Sequence, residues 1–228
     1  MIEVRIFSEA SMKLGKLFVL VLLATGIALA SPIFVNDFSF ETLPDGGLPI
    51  SCGGTCTYST GGGIAGWALS GVTANTGQIQ QGNVAIFAAI PDGTTIAYTN
   101  GGVISQTVAP VVQLGVTYTL QVDVGMRNPA FPLGTVDLMI GGTSFLATGT
   151  TPVTGNFSNF TATYTGLAGD VGKTIGIQLS ATQSQGDFDN VRLNDSTASA
   201  PEPGTAFLGV LGLAAMLPVV RMRLHKRG

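Results

Sequence analysis

From residue 33 to residue 193 the chain switches between apolar and polar positions with the two-residue period of β-strands. Thr117-Tyr118-Thr119-Leu120-Gln121-Val122-Asp123-Val124 alternates without a break, as a strand with one buried face should. Gly134–Ile140, Phe157–Tyr164, Thr174–Leu179 and Phe188–Leu193 read likewise, and Ile33–Phe40, Ile64–Leu69, Val84–Ala88 and Ile104–Val108 are earlier strand candidates. Turn signals punctuate them: Asp45-Gly46-Gly47, Asp92-Gly93, Asn100-Gly101-Gly102, Gly141-Gly142 and Leu167-Ala168-Gly169-Asp170. Nothing in 31–200 keeps a helical period with start and stop signals. Roughly ten strands in one region predict an all-β fold, a two-sheet antiparallel sandwich of the jelly-roll kind.

Both ends break this pattern. Met12-Lys13-Leu14-Gly15-Lys16 is a short positive stretch, Leu17–Ala24 is almost wholly aliphatic, and Ala28-Leu29-Ala30 precedes Ser31. That succession predicts a secretory signal peptide over 1–30, cut between Ala30 and Ser31, with Met12 as the expected initiator. An uncleaved anchor helix is the alternative. At the other end a linker, 196–205, contains Pro201-Glu202-Pro203; an apolar run, 206–220, follows; and a basic tail, 221–228, holds Arg221, Arg223, His225, Lys226 and Arg227. As a helix, Thr205–Val220 would be about 24 Å long, a little short for a hydrocarbon core of about 30 Å. The basic tail would stay cytoplasmic and leave the strand region, 31–195, outside.

Linker, Pro-Glu-Pro, marginal span and Arg/Lys cluster, in that order, resemble the PEP-CTERM sorting signal. The resemblance implies a Gram-negative exporter that also makes exopolysaccharide. It further implies cleavage near Pro201, Glu202 and Pro203 by an exosortase, a transpeptidase-like membrane protease, after transient residence in the inner membrane. A permanent single-pass anchor is the plainer alternative.

Composition narrows the chemistry. The chain is 45% hydrophobic and 10% charged, which argues against disorder, and its 32 glycines follow no G-X-Y period, which excludes collagen. His225 is the only histidine and lies in the basic tail, so a histidine triad or a His-ligated zinc inside the domain is excluded. Between residues 31 and 200 the cations Arg127, Lys173 and Arg192 face ten carboxylates, a net of −7. Such a surface argues against nucleic acid or anionic lipid as partner and is compatible with neutral glycans and divalent cations.

Val35-Asn36-Asp37-Phe38-Ser39-Phe40-Glu41, Gly66-Trp67, Ile104–Val108, Tyr118-Thr119-Leu120, Val124–Arg127 and Phe188-Asp189-Asn190-Val191-Arg192-Leu193 occur in the order seen in galactose-binding-like jelly rolls, the fold of many carbohydrate-binding modules. The chain resembles that group across 33–194, although Asp37 stands where these modules usually carry a small residue. The resemblance implies adjacent first and last strands and a structural calcium held by Glu41 and Asp189, with Asn36 or main-chain carbonyls completing an oxygen shell. The alternative is that Glu41 caps a turn and Asp189 pairs with Arg192.

Cys52 and Cys56, in C-x3-C spacing, are expected to form a disulfide in an exported protein. Trp67, Tyr58 and Tyr98 are candidates for a sugar-stacking platform, and Arg127 for a hydrogen-bond donor to ligand; core packing is the competing role for the aromatics. Catalysis is not expected. No Glu-x-Asp-x-x-Glu run of laminarinase-like hydrolases occurs, no base accompanies the many Ser and Thr residues, and Asp187 and Asp189 on one strand face suit a metal better. The sequons Asn156-Phe157-Ser158 and Asn159-Phe160-Thr161 read as ordinary strand residues. The sequence therefore predicts an exported, non-catalytic surface or matrix protein that binds extracellular polysaccharide. A structural or adhesive protein without a sugar ligand, and an extracellular hydrolase, are the other readings.

Overall fold

The structure, a computed structural model, describes residues 30–82, 86–129, 131–182 and 184–196. The expected signal peptide, sorting motif, membrane span and basic tail lie outside these residues. Among those described, no helix is long and apolar enough to cross a membrane.

Fourteen strands form two antiparallel sheets. They are β1 (Ala30–Ile33), β2 (Ile50–Ser51), β3 (Cys56–Tyr58), β4 (Ala68–Gly71), β5 (Thr76–Gln81), β6 (Thr95–Asn100), β7 (Gly102–Val111), β8 (Thr117–Met126), β9 (Thr135–Ile140), β10 (Thr143–Leu146), β11 (Thr148–Gly149), β12 (Asn156–Thr165), β13 (Thr174–Ser180) and β14 (Gln185–Ser196). The larger sheet runs β11-β12-β8-β14-β6-β5-β3-β2, and β1 adds to β14; the smaller runs β10-β9-β13-β7-β4. This is the all-β jelly-roll sandwich that the alternation predicts. The first and last strands do lie side by side, with Ile33 opposite Leu193.

The alternating strands supply the core between the sheets. Tyr118, Leu120, Val122 and Val124 of β8 and Phe188, Val191 and Leu193 of β14 meet Ile104 and Val108 of β7, Leu138 and Ile140 of β9, and Ile175, Ile177 and Leu179 of β13. A second, smaller apolar cluster sits on the outer face of the larger sheet. Cys56, Ile79, Ile96 and Tyr98 are covered there by Ile86 and Phe87, with Tyr58 and Phe157 at its margin. β6 is consequently buried on both faces: Ala97 points into the main core, Ile96 and Tyr98 into the second cluster.

Three expected strands are corrected. The run Ile33–Phe40 is extended only as far as Ile33; Asp37 and Phe40 then adopt positive φ (44° and 58°) in a turn that brings Phe40 into the core. Left-handed backbone is costly at a bulky residue. Here it is offset by full burial of the Phe40 ring and by the Gln78 side-chain amide, which donates to the Phe40 carbonyl at 2.6 Å. Ile64–Leu69 forms one bridge, Ile64 to Trp67, before β4 begins at Ala68. Of Val84–Ala88, residues 86–88 are irregular and the rest lie outside the described residues.

At one end of the sandwich the β7–β8 connection, 112–116, and the β12–β13 connection, 166–173, are tied by main-chain bonds. Gly115 donates to Gly166, Gly166 to Val116, Gly172 to Val112, and Val112 to Lys173, each at 2.9 Å. A Cβ at Gly166 would run into the Gln113 carbonyl, so this close approach requires glycine. Because Ala30 and Thr117 both pair with Ser196, the first and last described residues of the domain leave the sheet at this same end.

Candidate functional site

The outer face of the larger sheet carries a groove of about 330 Å³ near the opposite end of the strands. Its walls include Tyr58, Ile79, Tyr98, Asn100, Arg127, Gln185 and the Cys52–Cys56 disulfide. The expected disulfide is present. It clips the β2–β3 hairpin, where the Cys52 amide donates to the Cys56 carbonyl at 2.9 Å. Tyr58 meets Tyr98 edge to face, with ring centroids 6.1 Å apart, and the Tyr98 hydroxyl donates to the Ser59 carbonyl at 2.8 Å. Tyr58 is half-buried and Tyr98 almost fully buried, so each shows the groove part of a ring.

Behind them runs a line of polar groups. Arg127 Nη1 donates to Gln185 Oε1 at 2.7 Å, and Gln185 Nε2 donates to Asp187 Oδ1 at 2.7 Å. Arg127 also lies over the Phe131 ring, its guanidinium carbon 5.5 Å from the centroid. Arg127 Nε and Asp187 Oδ2 are buried without hydrogen-bond partners, an arrangement that costs free energy unless a ligand or water supplies them. Burial pushes the Asp187 carboxyl up to about 7, although the Gln185 bond and the Arg127 charge pull the other way.

The calcium candidates separate. Glu41 Oε1 accepts from the Thr94 and Thr95 amides at 2.8 and 2.7 Å, and Oε2 from the Thr94 hydroxyl. Asp189 accepts from the Asp92 amide at 2.9 Å and from Asn190 at 2.7 Å. Both carboxylates therefore hold the same Asp92–Thr95 turn. Its Gly93 has φ +70°, and a Cβ there would strike the Glu41 carboxylate. Burial raises Asp189 to about 8, and the nearby charges of Asp92 and Asp123 add to this.

Asn36 is a correction. It packs on Gly66, exchanges hydrogen bonds with the Gln106 side chain, and lines a different groove of about 460 Å³. Among the described residues, no three His, Cys, Asp or Glu side chains are placed to hold a metal. The donor set at this turn is thus two carboxylates and oxygens of the main chain. Of the alternative reading, the turn cap by Glu41 is present, whereas Arg192 lies 3.8 Å from Asp123 and not on Asp189.

Trp67 is also corrected. Its ring is 7% exposed, packs on Phe40 and donates to the Asp37 carbonyl at 3.4 Å, so it is a core residue and does not reach the groove. Tyr58, Tyr98 and Arg127 are brought together as a platform requires. Gln185 and Asn100, which sequence reading missed, face each other across the β14–β6 pairing. Their signal is the two-residue spacing of Gln185, Asp187 and Asp189, which sets all three side chains toward one face.

The arrangement defines a groove-bearing β-sandwich. The sequence profile of the HpiC1-like family, described as HpiC1 cyclase, matches residues 31–194, and the chain belongs to that family. Among solved structures it is similar to the CBM22-1 xylan-binding domain of Paenibacillus barcinonensis Xyn10C (14% identity, 77% of this chain and 98% of that one, TM-score 0.39). It is also similar to TmCBM61 in complex with β-1,4-galactotriose (15% identity, 72% and 98%, TM-score 0.44). Among curated proteins none matches the sequence.

Asp187 and Asp189 each hold a proton in the folded state above the pH at which the unfolded chain releases it. Their contribution to stability is full below about pH 4 and is lost as pH rises through 7 and 8. In chelator, denaturant midpoints should therefore fall steadily as pH rises from 4 to 8. The Asp187→Asn chain should show a shallower slope over the lower part of that window.

Proposed function

We propose that this protein is an exported, non-catalytic surface or matrix component that holds a segment of neutral polysaccharide in the Tyr58–Tyr98–Arg127 groove. The observation that carries the reading is the meeting, in one groove, of parts of the Tyr58 and Tyr98 rings with the Arg127 guanidinium, whose Nε lacks a partner. Apolar ring faces suit sugar C–H surfaces, and fixed amide and guanidinium groups suit hydroxyls. The acidic surface elsewhere disfavours anionic polymers. Isothermal titration of the full chain with xylo-, gluco- and galacto-oligosaccharides tests this. Tyr58→Ala should weaken binding roughly tenfold, the effect of about 1.4 kcal/mol. No heat with any of them at millimolar concentration would favour a structural or adhesive role.

A second reading draws on the family's description as a cyclase. The observation in its favour is Asp187, a buried carboxyl with one unpartnered oxygen behind the groove. As an acid it would protonate a bound unsaturated substrate; ring closure onto the resulting cation and return of a proton to the Asp187 carboxylate would complete the cycle. Conversion of such a substrate by the wild-type chain and not by Asp187→Asn would establish it.

Calcium is proposed as the structural cofactor of the Asp92–Thr95 turn, bound by Glu41, Asp189 and main-chain oxygens. It would keep Asp189 ionised, because a cation reverses the cost of placing negative charge there. Added calcium should raise the melting temperature relative to chelator. The gain should grow as pH approaches 8 and should vanish in Glu41→Gln.

Export through the 1–30 segment and processing at Pro201-Glu202-Pro203 by an exosortase-type protease complete the reading. Support comes from the order of the four sorting elements in the sequence. Mass spectrometry of the exported protein should find an N-terminus at Ser31 and a C-terminus near Glu202. An intact tail with its arginines would refute the processing.

A further inference from the structure

The connections that close the sandwich where its chain ends emerge are unusually apolar at their tips. Leu114 is 66% exposed, Leu167 61% and Val171 55%, and Val111 at the end of β7 is also exposed. They do not dangle. The four main-chain bonds between 112–116 and 166–173 lock the two connections into one surface. The charge beside them is nearly cancelled, because Lys173 bonds Asp170 at 2.6 Å, and Asp170 in turn accepts from the Tyr164 hydroxyl. Elsewhere the large exposed apolar residues are scattered, such as Val72 and Val153 toward the opposite end. Rigid, clustered and electrically quiet apolar tips mark an interaction surface.

Where the chain goes from here names the partner. Ser196 pairs with Thr117 and Ala30, so the C-terminal segment departs from beside this cluster. Nine residues further, at Thr205, the apolar 206–220 run is reached. Even fully extended, that linker spans on the order of 30 Å. Were 206–220 in a bilayer, a linker of that reach would keep the lipid surface available to the tips at high effective concentration.

We propose that in the uncut chain, before the tail is removed at Pro201-Glu202-Pro203, this end of the sandwich rests on an uncharged phospholipid bilayer surface, with Leu114, Leu167 and Val171 inserted at the level of the headgroups. Apolar side chains gain from that interface while their polar backbone stays hydrogen-bonded. The Tyr58–Tyr98 groove, near the other end of the strands, then faces away from the membrane. The inference rests on reading 206–220 as a span, and its experiment separates the two.

The full chain is reconstituted into phosphatidylcholine vesicles with and without brominated acyl chains. Leu114→Trp, Leu167→Trp and Val153→Trp are compared after subtraction of the emission of Trp67. Flotation with the vesicles verifies the span. Emission from the substitutions at 114 and 167 should drop with brominated lipid, and that from 153 should not. A chain that floats but shows no quenching at 114 and 167, or equal quenching at 153, overturns the docking alone. A chain that does not float overturns both. A blue shift at 114 and 167 without quenching would assign the patch to a second copy and likewise overturn lipid contact.

Discussion

The fold depends on a strand that must satisfy three neighbours at once. β14 hydrogen-bonds β8 along most of its length, β6 at its start and β1 at its end. Its inward residues, Phe188, Val191 and Leu193, fill the centre of the main core. Its outward residues have no such freedom, because β6 and the residues covering it bury that face as well. Gln185, Asp187 and Asp189 are thereby polar groups placed where water is scarce, and each has to find a partner. Gln185 and Asp189 do. Asp187 is half satisfied, and that is what gives the face its chemistry.

The molecule is consequently polarised along its strands. Near the turn where β6 passes to β7, the outer face of the larger sheet holds tyrosines, a guanidinium and an amide around a groove. At the far end, two bonded connections present leucine and valine beside Ala30 and Ser196. The two regions draw on different physics, directional hydrogen bonding in one and nondirectional burial in the other. A sandwich can offer both because its strands hold the two ends at a fixed separation.

Strands with one apolar face were legible in the sequence: β8, β9, β12, β13 and β14 all follow their alternation. β5 and β6 were not. Their inward positions are Thr76, Gln78 and Thr99, buried polar residues made tolerable by mutual bonds, such as Thr76 to Thr99 at 2.7 Å. Alternation of Ile79, Ile96 and Tyr98 toward a second cluster cannot be recognised until that cluster is known to exist. The opening segment misled for a different reason. Its composition is that of a strand, but Asp37 and Phe40 turn left-handed so that a phenylalanine can enter the core. Of the site residues, Tyr58, Tyr98 and Arg127 were found by residue type. Trp67 and Asn36 were assigned by position in a motif, and the packing of Gly66 against Asn36 sends both elsewhere. Gln185 could have been placed by its two-residue spacing from Asp187 and Asp189, whereas Asn100 carries no signal of its own, since its role comes from facing Gln185 across paired strands.

That a central strand is also the last to be made has a consequence for biogenesis. Until Gln185–Ser196 arrives, β6 and β8 flank an empty slot and neither the main core nor the groove can close. Ala30 must wait for a partner 166 positions downstream. Closure over so great a sequence separation is slow. A polypeptide made from its N-terminus can therefore form local pairs such as β5–β6 and β9–β10 early, while the core waits for its last strand.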